Sequence, residues 1–113
     1  MRREGEGMGG ENTMRSQAIP LVHGEAMGYV LDLGNAPLLI IKANNGYVMC
    51  GYLNMTAANK VGDIAGRVTG VKTFEDVLSA KIVEVSDKAR QQGLKEGMSA
   101  KDFLDQLLRG DRD

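Results

Sequence analysis

Two apolar runs joined by Asn44-Asn45-Gly46 constrain this chain more than any other feature. Leu38 to Ala43 reads Leu-Leu-Ile-Ile-Lys-Ala and Tyr47 to Leu53 reads Tyr-Val-Met-Cys-Gly-Tyr-Leu, two short runs bounded by turn residues. Strands have this length and punctuation. Asn-Gly tolerates the positive φ values that a type I′ hairpin turn demands, so the two runs are expected to pair antiparallel. The first shows little alternation of polar and apolar residues, which places it at the centre of a sheet. Both runs present apolar residues on both faces, and the second face then needs a cover of its own. A subunit interface meets that need, which makes a homo-oligomer the expected state.

Upstream, Ala18 to His23 is a short apolar run and Gly24-Glu25 offers a turn. Ala26 to Leu33 follows with Tyr29, Leu31 and Leu33 at alternate positions, the pattern of a half-buried strand. Gly34-Asn35-Ala36-Pro37 is turn chemistry. Downstream the signals become helical. Asn54 can cap a short helix over Met55 to Val61 that Gly62 ends. Gly62, Gly66 and Gly70 disfavour a helix at about 1 kcal/mol each, so the next segment is expected as a loop and a short strand. Thr73 with Asp76, and Ser99 with Asp102, have the spacing of a capping residue and an acid in the first turn, and Ser86 opens a helix that Gly93 stops. Phe103, Leu104, Leu107 and Leu108 form one stripe, which packs on the sheet. Strands first and helices afterwards define an α+β fold, with a mostly antiparallel sheet from the N-terminal half and C-terminal helices packed on one face.

With 113 residues, one domain is expected over 16–113. Residues Met1 to Arg15, rich in glycine and charge and without aliphatic residues other than methionine, are expected to be a disordered tail. Lys and Arg number 14 against 15 Asp and Glu, a balance that gives no basic field for nucleic acid. The apolar runs fall short of the roughly 20 residues that span a bilayer, and no apolar segment follows the N-terminal arginines. One cysteine and one histidine provide neither a disulfide nor a common zinc site. A cytoplasmic protein without metal or cofactor, and without membrane or nucleic-acid partners, is the expectation.

Cys50 is the candidate nucleophile. A reactive thiolate needs exposure and a histidine, a cation or a helix start beside it. In a simple meander, His23 lies three strands from Cys50, roughly 14 Å away, so a Cys-His dyad is out of reach. A buried free cysteine ordinarily behaves as a small hydrophobe, and that role is expected. The glycines at 62, 66 and 70, with Arg67 and Lys72, offer the elements of an anion cradle, but their spacing is neither a P-loop nor a dinucleotide fingerprint. Tight backbone packing is the expected use of these glycines, and Glu75 and Asp76 would repel an anion at the helix start.

Taken together, Gly46 to Leu53, Ala65-Gly66-Arg67, Gly70 to Thr73, Glu75 to Leu78, and Gly93-Leu94 with Gly97-Met98 resemble the YunC-like family, domain of unknown function 1805. The resemblance runs from about Ser16 onward. It implies a small α+β domain and brings no assigned activity, and the glycine-rich segment before Ser16 is outside it. The functional expectation is a non-catalytic, self-associating module. Its small-molecule site would lie near Cys50 and Arg67, drawn from Gly51, Asn54, Gly66, Arg67 and Lys72. The alternative is a Cys50-dependent enzyme.

Overall fold

The computed structural model describes residues 14–34, 37–51 and 54–110. Strands β1 (Met14–Leu21), β2 (Gly24–Asp32), β3 (Pro37–Ala43) and β4 (Gly46–Met49) form an antiparallel meander. Helix α1 (Met55–Val61) then carries the chain to β5 (Ile64–Arg67), which pairs parallel to β4. After α2 (Phe74–Ser79), β6 (Glu84–Val85) joins antiparallel to β5, and α3 (Asp87–Gln91) and α4 (Ala100–Gly110) follow. The sheet order is β1-β2-β3-β4-β5-β6. The fold is α+β as expected, with one β–α–β step at β4–α1–β5.

Side-chain alternation separates the two faces. Ile19, Ala26, Val30, Leu39, Ile41, Val48 and Ile64 point to an inner face, where they form one core with Val77 of α2, Ala89 of α3 and the stripe of α4. That stripe is Phe103, Leu104, Leu107 and Leu108, all buried. Three strand glycines lie beneath side chains on this face. A Cβ at Gly28 would sit 2.7 Å from Phe74, one at Gly46 2.7 Å from Leu107, and one at Gly66 2.9 Å from Phe103. The expected caps form: Thr73 Oγ1 accepts from Asp76 N, Ser86 Oγ from Ala89 N, and Ser99 Oγ from Asp102 N.

Several expected boundaries differ, for physical reasons. The first turn is Val22-His23, and Leu21 pairs with Gly24. Gly24, with φ +148°, therefore opens β2 and is not itself the turn. The β3–β4 hairpin closes through Ala43 and Gly46, leaving Asn44 and Asn45 as its loop, of which only Asn44 has positive φ (54°). Gly46 is a strand residue that makes room for Leu107 and for the Ile64 carbonyl, not the second turn residue. Met14 and Arg15, expected in the tail, pair with Leu31 and Val30 because β2 is long enough to template them. The rest of the expected tail, 1–13, lies outside the described residues, as do Tyr52 and Leu53 of the expected fourth strand.

The outer face is unevenly covered. Met49, Met55, Ala58 and Ala65 form a second, small core with Tyr47 packed against it, so α1 covers β4 and β5 there. The C-terminal helices α2, α3 and α4 share the inner face as expected, and helix α1, between β4 and β5, lies on the opposite side. Over β2 and β3 the outer positions include Met27, Tyr29, Leu31 and Ile40, half-buried or exposed, with Met27 and Tyr29 each 36% accessible, while Leu38 at the start of β3 packs against the inner core.

Candidate functional site

Cys50 follows β4 directly and points inward. It is 3% exposed and belongs to the inner core. Its N–H donates to the Leu39 carbonyl at 3.1 Å, and its Sγ accepts from the Leu39 N–H at 3.3 Å. The thiol therefore completes the β3 ladder where β4 ends. His23 is elsewhere, at the β1–β2 turn. Its Nδ1 lies 2.6 Å from Asp105 Oδ2, and its backbone N–H donates to Asp105 Oδ1 at 2.8 Å, so it ties the turn to α4. Burial pushes the Asp105 carboxyl up, but the hydrogen bonds and charge of His23 outweigh that and hold it below its ordinary value. Among the described residues there is no group of three His, Cys, Asp or Glu that could hold a metal ion.

The expected ligand residues are distributed over both faces, and Asn54 and Lys72 line different openings. Gly66 lies beneath Phe103 and Ile82 on the inner face, where a Cβ would be too close to both. Arg67, next in sequence, points outward and donates from Nε to Glu84 Oε1 at 2.8 Å across β5 and β6. Gly51 is exposed beside Thr69. Lys72 lines a separate cleft of about 290 Å³ with Arg15, Gln17 and Glu75 between β1 and the start of α2. The Lys72 N–H donates to Asp76 Oδ2 at 3.0 Å, so carboxylates are already present there. Asn54 caps α1 by accepting from the Thr56 N–H at 2.7 Å.

Of these, Asn54 alone borders a largely apolar groove of about 340 Å³ on the outer face between α1 and the sheet. Ile40, Tyr47 and Met49 form its floor, and Ala57, Ala58 and Val61 its helical wall. Asp63 lies at one end and accepts from the Tyr47 hydroxyl at 2.6 Å. Burial first, then the bond to Asp63, pushes the Tyr47 phenol up to about 12, so Tyr47 is a fixed donor and not a base at neutral pH. The groove was not among the expected site residues. Its sequence signal is the pair of alternate outer positions Tyr47 and Met49 beside the helical spacing of Ala57, Ala58 and Val61.

A prediction for the thiol follows from this geometry. A soluble thiol reagent should modify Cys50 slowly in native buffer and orders of magnitude faster once denaturant opens the core. Rapid native modification would show that the β3–β4 end opens far more readily than its burial implies.

These features define a class: a six-stranded α+β domain with a filled inner face and a half-covered outer one. Residues 49–107 match the family Domain of unknown function (DUF1805). The chain is 32% identical over 83 residues to the uncharacterized protein YunC of Bacillus subtilis (strain 168), an alignment covering 70% of this chain and 82% of that one. It is also similar to the crystal structure of a protein of unknown function, TA1206, from Thermoplasma acidophilum. The TM-score is 0.81 at 48% identity, over 86% of this chain and 95% of that one. The chain belongs to the DUF1805 family. No helix among the described residues is long and apolar enough to cross a membrane.

Proposed function

We propose that this chain is a non-catalytic, self-associating domain whose interface is the outer face of the sheet. The observation that supports this reading is the row Met27, Tyr29 and Leu31 on the outer side of β2, an apolar face with no helix over it among the described residues, bordered by Ile40 at the open side of the α1 groove. Contiguous apolar surface of that kind marks contact sites in soluble proteins. The Cys50-dependent enzyme is the weaker reading, because the thiol is in the core and His23 is engaged with Asp105. A small-molecule site built jointly from Cys50 and Arg67 is disfavoured too, since the two side chains leave opposite faces of the sheet. The groove beside Asn54 is the better place for a small apolar ligand, and it opens on the same outer face. A free, unpaired cysteine suits a reducing compartment, so a cytoplasmic setting is part of the proposal.

The test is light scattering during chromatography at micromolar concentration. The unmodified chain should run as an oligomer, whereas Met27→Asp and Tyr29→Asp should run as folded monomers. A carboxylate there is stranded in an apolar contact only when the subunits meet. A monomeric unmodified chain would overturn the reading.

A further inference from the structure

The groove between α1 and the sheet is apolar along its length and charged at one end. Asn54, Ala57, Ala58 and Val61 recur at three- and four-residue steps, which is one side of a helix, so the wall runs the length of α1. Seven residues at about 1.5 Å of rise each make it about 10 Å long. Two of its residues are alanines, which keeps the groove open, and its volume of about 340 Å³ is at the small end of the range for ligand sites.

Among the lining residues Asp63 alone is charged. It is half-buried, and the ion pairs among the described residues, His23 with Asp105, Arg67 with Glu84 and Arg90 with Glu96, do not include it. Lys42 is the cross-strand partner of Tyr47, but its ammonium donates to the Asn44 carbonyl at the hairpin, and Lys60 of α1 is exposed. Neither lysine lines the groove. Hydrogen bonding at this end is one-sided. The Tyr47 hydroxyl directs its proton to Asp63 Oδ2 at 2.6 Å, which leaves the phenol lone pairs and Asp63 Oδ1 without a donor among the described residues. A carboxylate beside apolar surface is costly to leave without a partner.

We infer that the groove takes a small primary amine with an apolar body, its ammonium at Asp63 and the Tyr47 oxygen and its body along Ile40, Met49 and the alanines of α1. This rests on the small-ligand reading of the groove given above and names the ligand's chemistry. An ammonium brings three donors and no acceptor, which complements an end that holds acceptors only. An organic anion meets the Asp63 charge, and an alcohol lacks the charge-assisted bond.

The test is a titration of the isotope-labelled full chain followed by amide NMR shifts, with phenethylamine, phenethyl alcohol and hydrocinnamate as probes. The amine should shift the amides of β4, α1 and Asp63 saturably and bind about ten-fold or more tighter than the alcohol, and the carboxylate should not bind. Asp63→Asn keeps an acceptor for Tyr47 and should bring the amine down to the alcohol's affinity. Ala57→Leu, at an exposed helix position that suits leucine, should close the groove to both. Equal binding of amine and alcohol to the unmodified chain, or an amine affinity that Asp63→Asn leaves unchanged, overturns the amine and leaves an apolar site. No saturable shift around α1 with any probe, or shifts scattered over surface carboxylates, overturns the small-ligand reading as well. Light scattering on the same samples reads self-association separately: an oligomer that binds no amine keeps that reading and loses this one, and a monomer that binds the amine does the reverse.

Discussion

Phe103→Ala should lower the unfolding free energy by about 3–5 kcal/mol, the range for deleting a fully buried aromatic ring from a packed core. Phe103 is wholly inaccessible at the centre of the α4 stripe, the helix that reaches β2, β3 and β4 as well as α2. Its ring lies on Gly66, where an added Cβ would be 2.9 Å from Phe103 and 3.0 Å from Ile82. The hole left by the substitution opens onto strand backbone, which cannot relax into it as a flexible side chain could. Urea unfolding followed by circular dichroism measures the loss. A second substitution separates this account from a general weakening of α4. Gly66→Ala alone should cost about 1–3 kcal/mol through overpacking. In the Phe103→Ala background the same change should cost little or be favourable, because the ring that it strikes is gone. Strict additivity of the two changes would show that Gly66 and Phe103 are not coupled as described.

The sequence was most legible where a signal is local. Capping residues at Thr73, Ser86 and Ser99 each accept from an N–H three residues ahead, a geometry that chain spacing alone dictates. Glycines were less legible, since one residue type serves turns and close packing alike. Gly46 reads as half of an Asn-Gly turn yet is a strand residue beneath Leu107, and only its tertiary neighbours distinguish the two uses. The placement of α1 was not local either. A parallel β4–β5 pair forces the intervening helix over one face, but nothing in Met55 to Val61 says which. The candidate ligand set is different, because the signal was present. Gly66 and Arg67 are adjacent within a strand, so alternation alone puts their side chains on opposite faces and argues against a cradle built from both.

Ser86→Ala should cost about 2–4 kcal/mol, more than the loss of an ordinary helix cap. Ser86 is fully buried, and its hydroxyl uses the whole of its bonding capacity. Oγ accepts from the Ala65 N–H at 2.9 Å and from the Ala89 N–H at 3.2 Å, and donates to the Asp63 carbonyl at 2.7 Å. The Ser86 N–H donates to the Ala65 carbonyl at 2.8 Å, extending the β5–β6 pairing by one residue. Alanine keeps that backbone bond but leaves a buried amide in β5 and a carbonyl at the end of the α1–β5 link without the hydroxyl. The effect should therefore extend beyond α3. Amide exchange at Ala65 should accelerate together with that at Ala89, whereas a simple cap loss would accelerate Ala89 alone. Asp63 also anchors the Tyr47 hydroxyl, so the same substitution should loosen the end of the outer groove. A loss below about 1 kcal/mol, with Ala65 exchange unchanged, would mean that the hydroxyl only caps α3.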